Sequence, residues 1–256
     1  MSQYNVLISR IKEKKELKDI SDSLILDLIE NYQKKHPLQL SQLSDKQLKP
    51  MIKQIRTELR LYTGRFQKGV KNRDSLFEQN KISELLKTHT STSERINFYP
   101  QLKEKISSLN IKSILDLGCG LNPIALASKE IEYSACDIKE SEISLINKFF
   151  KNNQIEGNAF IFDLRKIENL PSLPKADLCI IFKVLDILEK ENHKIANAII
   201  SNLNCKFFLI SFSTKKLSGK PMSNPKRYWL EKLLDYNNLS FEIFSSNNEI
   251  FYLIRK

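Results

Sequence analysis

The first part of the chain has the hydrophobic periodicity of amphipathic helices. Apolar residues recur at three- and four-residue spacing over residues 4–15, over 22–36, where Ser21 or Asp22 can cap the segment, and over 44–64. The pattern therefore predicts three helices. A bundle of this size buries little apolar surface alone, so we expect it to pack on the remainder of the chain.

From residue 112 onwards, short apolar runs alternate with helical patterns. This alternation predicts an α/β fold of the Rossmann-like type. The last two runs are separated by a turn at residues 246–249, which predicts an antiparallel hairpin at the edge of an otherwise parallel sheet. A nicotinamide-binding sheet would instead be all parallel. The seven predicted strands cover residues 113–117, 133–137, 159–162, 178–182, 207–212, 240–245 and 250–254.

The first strand of this region leads into a glycine turn. Asp116 ends the strand, and Gly118 and Gly120 follow it. Without a Cβ these glycines can adopt positive φ and allow a ligand to approach the backbone. Pro123 then suits the first turn of a helix that Asn122 can cap. The third glycine of the dinucleotide fingerprint is missing.

A second strand ends in Asp137, about one half-unit of a βαβ repeat further on. An acid at this place can accept hydrogen bonds from ribose hydroxyls. Together with the Asp-x-Gly-x-Gly turn, it is typical of the S-adenosylmethionine site of a class I methyltransferase, so we expect that cofactor rather than a nicotinamide. The predicted sheet with its antiparallel hairpin is the usual shape of the same class.

Composition and charge restrict the class of partner that the protein is expected to bind. The chain has 256 residues, 41% of them hydrophobic, and a net charge of +11. Residues 1–110 hold 21 Lys and Arg against 13 Asp and Glu, a net +8, which leaves +3 for the rest. This asymmetry favours a polyanion such as nucleic acid over a merely solvated surface.

A cationic cluster lies between residues 53 and 73. Arginine outnumbers lysine there although the chain as a whole is rich in lysine, and Tyr62 and Phe66 are interleaved with the cations. Phosphate contacts require such a density of positive charge, so we predict an RNA-facing surface. Its members are Lys53, Arg56, Arg60, Arg65, Lys68, Lys71 and Arg73.

No apolar leader and no apolar run long enough for a membrane span occurs in the sequence. The four cysteines have no paired spacing. We therefore expect a cytoplasmic protein with reduced thiols, no structural metal and no membrane partner. A monomer is expected.

Three segments resemble one family, the 16S rRNA (guanine-N7) methyltransferases of the aminoglycoside-resistance type. The resemblance covers nearly the whole chain. One segment is Leu85-Leu86-Lys87-x-His89-x-Ser91-Thr92-x-Glu94-Arg95, another is Ile114-Leu115-Asp116-x-Gly118-Cys119-Gly120-x-Asn122-Pro123, and the last is Ile210-Ser211-Phe212-x-x-Lys215-x-Leu217-Ser218-Gly219-Lys220.

The resemblance implies roles for individual residues. Arg95 would hold the methionine carboxylate of the cofactor, and Lys183 would lie near the transferred methyl group as a positioning residue. No general base is expected, because guanine N7 already carries a lone pair. The loop with Lys215, Lys216 and Lys220 would approach the RNA of the small ribosomal subunit. The implied cofactor-binding set is His89, Arg95, Asp116, Gly118, Gly120, Asp137, Ile138, Asp163 and Leu164.

Two positions depart from the family pattern on the side of the target base. Asp186 and Ser213 stand where the family has prolines. An acid near the target could serve an exocyclic amine or an adenine nitrogen better than guanine N7. Methylation of another base, or a protein that binds the cofactor and RNA without transfer, are therefore the alternatives to guanine-N7 methylation.

The predicted organisation has three parts. Residues 1–75 are expected to form a helical rRNA-binding domain, residues 76–111 connecting helices that complete the cofactor site, and residues 112–256 the methyltransferase domain.

Overall fold

The computed structural model describes residues 3–36, 44–63, 72–189, 192–216 and 219–256. The three N-terminal helices predicted from the periodicity are present as α1 (Gln3–Lys12), α2 (Asp22–Lys35) and α3 (Asp45–Thr63). Their apolar faces meet in a cluster of their own, with Ile11 and Leu59 at its fully buried centre. Tertiary burial of these faces stabilises helices that would be marginal in isolation.

Four short helices connect this bundle to the sheet. They are α4 (Arg73–Glu78), α5 (Ile82–Lys87), α6 (Thr90–Arg95) and α7 (Tyr99–Ser107). The helix α6 ends at Arg95, the last residue of the first family motif. This places Arg95 inside the protein, where it is 1% exposed.

The sheet has the seven predicted strands. They are β1 (Ser113–Leu117), β2 (Glu132–Asp137), β3 (Gly157–Ile161), β4 (Leu178–Phe182), β5 (Phe207–Ser213), β6 (Ser240–Ser245) and β7 (Glu249–Arg255). Their order is β3-β2-β1-β4-β5-β7-β6. The first five are parallel, whereas β7 runs antiparallel to both β5 and β6. The predicted Rossmann-like fold with an antiparallel C-terminal hairpin is thereby confirmed.

Hydrophobic residues cover both faces of the sheet. Along β1, Ile114 packs into the cluster on one face, while Leu115 and Leu117 pack into the cluster on the other. The helices that follow the strands are α8 (Asn122–Leu126), α9 (Glu140–Asn153), α10 (Leu185–Leu188), α11 (Lys194–Asn202) and α12 (Tyr228–Tyr236).

The strand order reverses between β1 and β4, which are neighbours although β2 and β3 separate them in the chain. In open α/β sheets ligands bind beyond the carboxyl ends of the strands at such a switch point. The glycine turn after β1 and the turn after β4 meet at this crevice.

None of the helices in the described ranges is long and apolar enough to cross a membrane. The four cysteines are buried free thiols, as predicted.

Candidate active site

An open pocket lies at the carboxyl ends of β1, β2 and β4. It contains several of the residues proposed from the sequence, together with side chains from the N-terminal helices. The lining includes Leu24, Tyr62, His89, Ser91, Gly118, Cys119, Asn122, Asp137, Ile138, Lys139, Glu142, Phe162, Asp163, Leu164, Arg165, Phe182, Lys183, Val184, Ile187 and Leu188.

The two glycines of the turn have the positive φ that the sequence predicted, +66° at Gly118 and +50° at Gly120. A Cβ at Gly118 would lie 2.6 Å from a methyl group of Val184, and one at Gly120 would lie 2.8 Å from the ring of His89. Both distances are too short for a side chain. The turn is therefore a backbone cradle whose walls are Val184 and His89.

Asp137 ties the cradle to the end of β2. One oxygen of its carboxylate accepts the backbone N–H of Gly120 at 3.0 Å, and the other accepts that of Ile138 at 2.7 Å. Burial, together with the nearby charge of Glu142, raises the pKa of Asp137 to about 6. These bonds fix its orientation, and each oxygen retains a lone pair for a hydroxyl donor.

The predicted residue Asp116 lies behind the cradle. It is fully buried, and its carboxylate accepts a hydrogen bond of 2.8 Å from the hydroxyl of Tyr133. Burial raises the pKa of Asp116 to about 7. Because Asp116 is absent from the described pocket lining, it supports the turn from below and makes no wall of the pocket.

His89 is buried against Gly120 at the opposite wall. Burial lowers the pKa of His89 to about 4. Its imidazole is therefore neutral at physiological pH, so it supplies shape and a polar edge rather than a positive charge.

The far end of the pocket is formed by the segment after β3, which contains Asp163 and Leu164 of the implied cofactor-binding set. Arg165 binds the carboxylate of Asp163 with two hydrogen bonds, 2.9 Å from Nε and 2.7 Å from Nη2. The guanidinium of Arg165 also lies 4.9 Å from the ring centre of Tyr62. Apolar side chains surround this end, among them Ile138 and Leu188.

Arg95, which the resemblance assigns to the methionine carboxylate, is engaged by side chains of the protein. Its five N–H groups donate to four side chains: Glu249 receives two, at 3.1 and 2.6 Å, and Asn122, Ser91 and Tyr99 receive one each. Arg95 is not among the described pocket residues, but two of its partners, Asn122 and Ser91, are. In this arrangement Arg95 holds the wall of the pocket.

Two local predictions around this arginine are wrong. Asn122 does not cap α8, because its side-chain oxygen accepts from Arg95 at 2.7 Å and from Tyr99 at 2.8 Å. Glu249 was placed in the turn at residues 246–249, but it begins β7 and is completely buried. In both cases a buried guanidinium binds a side chain that the local sequence assigns to a cap or a turn.

Lys183 projects into the pocket from the turn after β4. Its ammonium group lies 2.6 Å from Glu94 and 3.4 Å from Glu249, and the residue is 8% exposed. Its backbone has φ +59°, which is strained for a side chain larger than glycine and is typical of functional turns. Its N–H donates to the carbonyl of Ser211 at 3.0 Å, which anchors the turn to β5.

The predicted acid Asp186 is engaged by an arginine. Arg227 donates two hydrogen bonds to its carboxylate, 3.0 Å from Nε and 2.6 Å from Nη2, and a third of 3.2 Å to the carbonyl of Ser213. The two departures from the family pattern are thus joined by one guanidinium, which packs on the ring of Phe212. Asp186 is therefore paired rather than available as a base.

The predicted RNA-facing cations differ in their surroundings. Arg56 supports the bundle, with bonds to the backbone of Arg10 and Ile11 and to Glu13. Arg60 pairs with Glu16 at 2.8 Å. Lys53, by contrast, is exposed, as are Lys215, Lys216 and Lys220, while Arg65, Lys68 and Lys71 lie outside the described residues.

The structure corrects the prediction made for Arg73. It was predicted to face RNA, but it is 5% exposed and forms an ion pair of 3.0 Å with the buried Glu142 of α9. It also donates to Thr88 at 2.8 Å. Its charge is neutralised inside the protein, so it ties the connecting helices to the methyltransferase sheet.

A cationic cleft lies between α1 and α3, and it combines some of the predicted cations with basic residues that were not predicted. Six basic residues and one acid line it. Those that the sequence analysis missed belong to α1, to the turn after it and to the first part of α3. The complete lining is Arg10, Glu13, Lys14, Lys49, Ile52, Lys53, Arg56 and Arg60.

Other site residues also escaped the sequence analysis. Glu142, Leu24 and Tyr62 line the pocket but lie in helices whose local pattern explains them as surface or bundle positions. The sequence contains one indication for Glu142, because an acid in the first helical turn after Asp137 lies close to the glycine cradle. It contains no indication for Leu24 and Tyr62, because only the docking of the bundle brings them to the pocket.

The sheet order, the glycine cradle and the acid at the end of β2 define a class I methyltransferase. The family model described as ribosomal RNA methyltransferase (FmrO) matches residues 68–253. The chain belongs to this ribosomal RNA methyltransferase family.

Individual relatives carry similar names. A 16S rRNA (guanine(1405)-N(7))-methyltransferase of Serratia marcescens is 32% identical over 182 residues, which cover 68% of this chain and 70% of that protein. One of the same name from Frankia casuarinae is 24% identical over 68% of this chain and 64% of its own length. The solved 16S rRNA methyltransferase RmtF, in complex with S-adenosyl-L-homocysteine, has the same fold, with a TM-score of 0.82 at 22% identity over 100% and 99% of the two chains.

Proposed function

We propose that this chain transfers a methyl group from S-adenosylmethionine to N7 of a guanine in the decoding region of 16S rRNA. The observation that carries the proposal is the pocket at the switch point, in which the cradle of Gly118 and Gly120 faces Asp137. Membership of the rRNA methyltransferase family and the names of the Serratia and Frankia relatives support the substrate.

The residues present fit this cofactor. Gly118 lines the pocket, where the methionine portion would lie along its backbone, and the packing of Val184 against it leaves no room for a Cβ. Asp137 would accept the ribose hydroxyls, and Asp163 and Leu164 would face adenine at the apolar end. His89 and Ile138 would close the walls, while Asp116 and Arg95 would act from behind the pocket by holding the turn and Asn122.

The site needs no proton acceptor for guanine N7. When bound, S-adenosylmethionine supplies an electrophilic methyl group on a sulfonium, and the lone pair of N7 forms the new bond as the carbon–sulfur bond breaks. The protein contributes alignment and exclusion of water. Lys183 would position the target base or its phosphate, and its pairing with Glu94 and Glu249 sets where its ammonium group lies.

The paired state of Asp186 bears on the alternative targets. Methylation of an exocyclic amine releases a proton that a carboxylate could accept, whereas a ring nitrogen of adenine carries a lone pair and, like guanine N7, needs no proton acceptor. Here both oxygens of Asp186 accept from Arg227. This arrangement favours guanine N7 over an exocyclic amine.

We further propose that the predicted division of the chain holds, with residues 1–75 as the rRNA-binding domain, residues 76–111 completing the cofactor site and residues 112–256 as the methyltransferase domain. The separate hydrophobic cluster of α1–α3 supports the first boundary. The cationic cleft, which includes the exposed Lys53, is the surface we assign to rRNA phosphates, together with the exposed Lys215, Lys216 and Lys220 that follow β5.

The test is methyl transfer to isolated small subunits. Purified protein, tritiated S-adenosylmethionine and 30S subunits or naked 16S rRNA are combined, and the labelled RNA is treated with borohydride and aniline before primer extension. Because methylation at N7 weakens the glycosidic bond, one cleavage in the decoding-site helix is expected, with 30S subunits the better substrate. Labelled RNA that resists cleavage would exclude guanine N7, and absence of label would favour a binding protein without transferase activity.

A cellular measurement complements this assay. Expression in a susceptible bacterium is expected to raise the inhibitory concentration of aminoglycosides that bind the decoding site. A Gly118→Ala variant serves as the control, because its cradle should bind the cofactor more weakly and give a smaller increase.

A further inference from the structure

The N-terminal helices provide one wall of the pocket described above. Leu24 of α2 and Tyr62 of α3 line it together with Asp137 and Asp163 of the sheet. Leu24 is 1% exposed and belongs to the hydrophobic cluster of the bundle. The bundle and the methyltransferase sheet therefore share this wall.

Tyr62 is fixed to the end of the pocket that we assign to adenine. The guanidinium of Arg165 lies 4.9 Å from the ring centre of Tyr62, within the range of a cation–π contact. The same guanidinium holds the carboxylate of Asp163 through Nε and Nη2. A chain of contacts thus runs from α3 to Asp163 through Arg165.

Backbone contacts hold the bundle at the next loop of the pocket. The N–H of Ser21 donates to the carbonyl of Ile138 at 3.2 Å, and the N–H of Glu140 donates to the carbonyl of Asp19 at 2.9 Å. Ile138, which directly follows the ribose-binding candidate Asp137, packs against the cluster of the bundle. The position of the bundle therefore determines the position of this loop.

An ion pair closes the contact on the other side. Lys166 lies 2.5 Å from Asp27 of α2, and both side chains are at least partly withdrawn from solvent. The bundle is thus connected both to the loop after β2 and to the segment after β3, and the pocket lies between these two connections.

From these contacts we propose that Tyr62 and Leu24 belong to the cofactor site, with the ring of Tyr62 covering its adenine end. This inference rests on the proposed function, because it assumes that the pocket binds S-adenosylmethionine. A purine offers a flat apolar face, and an aromatic ring provides more contact area and better stacking than an aliphatic side chain. The N-terminal helices then recognise the cofactor as well as RNA.

A consequence concerns α3, which also carries Lys53 of the cationic cleft. If one helix contacts both ligands, each ligand stabilises the position of α3 that the other requires. Binding free energies are reciprocal, so the cofactor and the subunit should raise each other's affinity by the same factor.

Calorimetry with S-adenosylhomocysteine tests the wall. The wild type is compared with Tyr62→Ala, Tyr62→Phe and Leu61→Ala, the last being a matched control on the same helix because Leu61 is 46% exposed. Tyr62→Ala is expected to raise Kd at least about fivefold, while the other two stay within about twofold of the wild type. A wild type that does not bind the ligand would contradict the proposed function, whereas a wild type and Tyr62→Ala with equal Kd would overturn only this inference.

Amide hydrogen exchange of the wild type provides a test that needs no variant. Bound S-adenosylhomocysteine is expected to slow amide exchange in α3 near residues 55–62 by at least about threefold. Unchanged exchange there, with slower exchange at residues 114–120, would show that the bundle is no part of the site.

Subunit binding tests the consequence. Saturating S-adenosylhomocysteine is expected to tighten the binding of wild-type protein to 30S subunits, and to have a smaller effect on Tyr62→Ala. Equal subunit affinity with and without the ligand would exclude the coupling through α3.

Discussion

Glu249 neutralises Arg95 across 154 positions of the chain, with hydrogen bonds of 3.1 and 2.6 Å between two completely buried side chains. The same carboxylate lies 3.4 Å from Lys183 and accepts from the hydroxyl of Ser211. One acid at the start of the last strand therefore fixes two cations beside the pocket. The loss of such a group leaves buried charge uncompensated.

Glu249→Gln is accordingly expected to lower the free energy of unfolding by about 3–5 kcal/mol. The matched control is Glu242→Gln in the neighbouring strand, whose partner Lys105 is 32% exposed and whose own side chain is 49% exposed. That exposed pair should contribute about 1 kcal/mol or less. Urea unfolding measures both, and equal losses would show that the buried network adds nothing beyond a surface ion pair.

Gly118→Ala should separate a steric requirement from backbone strain. The positive φ alone costs about 1–2 kcal/mol, and the new methyl group would also lie 2.6 Å from Val184. We expect at least about tenfold weaker binding of S-adenosylhomocysteine, since the cradle must open to admit the methyl group.

Gly219→Ala is the control for this prediction. Its φ is +79°, but a Cβ there meets no atom within 4 Å. Gly219→Ala should lower the free energy of unfolding through backbone strain, while the affinity for S-adenosylhomocysteine stays unchanged. If calorimetry gives the two variants the same affinity, the contact of Gly118 with Val184 does not define the cradle.

Arg73→Ala distinguishes a structural cation from one that binds RNA. Removing it takes away the guanidinium that forms an ion pair with the buried carboxylate of Glu142, so we expect about 3–5 kcal/mol less stability in urea unfolding. Lys53→Ala, at an exposed residue of the cleft, should change stability by less than about 0.5 kcal/mol but reduce the salt dependence of subunit binding by about one phosphate contact. An Arg73→Ala protein of unchanged stability would restore the original RNA-facing interpretation.

Cofactor binding should weaken in mild acid. The pKa of Asp137, raised to about 6 by burial and by Glu142, means that a growing fraction of the free protein carries a neutral carboxyl below that pH. Ribose hydroxyls favour the ionised acceptor, so the Kd for S-adenosylhomocysteine should rise about tenfold between pH 7.5 and pH 5.

Asp137→Asn is the control in this titration. It should bind weakly at every pH, because its amide cannot ionise. A wild-type Kd that stays constant over the same range would show that Asp137 does not accept from the ligand in its charged form.

Features with a local cause were predictable from the sequence. The positive φ of Gly118 and Gly120 and the strand that ends in Asp137 follow from residue type and short-range pattern, and the structure contains all of them. The same applies to the helices of the bundle and to the terminal hairpin.

Partners of buried charges were not predictable. Arg95 and Arg73 were both interpreted as ligand-binding cations, whereas their carboxylates lie 154 and 69 positions away. No periodicity reports such distances. Which acid meets which arginine is decided by the strand order that inserts β7 between β5 and β6, and by the docking of α4 on α9.

The guanidinium of Arg227, which joins Asp186 to Ser213, restricts the substitutions that this sequence can accept during evolution. Arg227 forms its ion pair with Asp186, and without that acid a cation that is 11% exposed loses its counter-charge. Replacement of Asp186 by proline, the residue that the family has there, is therefore disfavoured until Arg227 has changed as well. Positions 186 and 227 should be inherited as a pair, and close descendants of this gene are expected to retain both residues or to have replaced both.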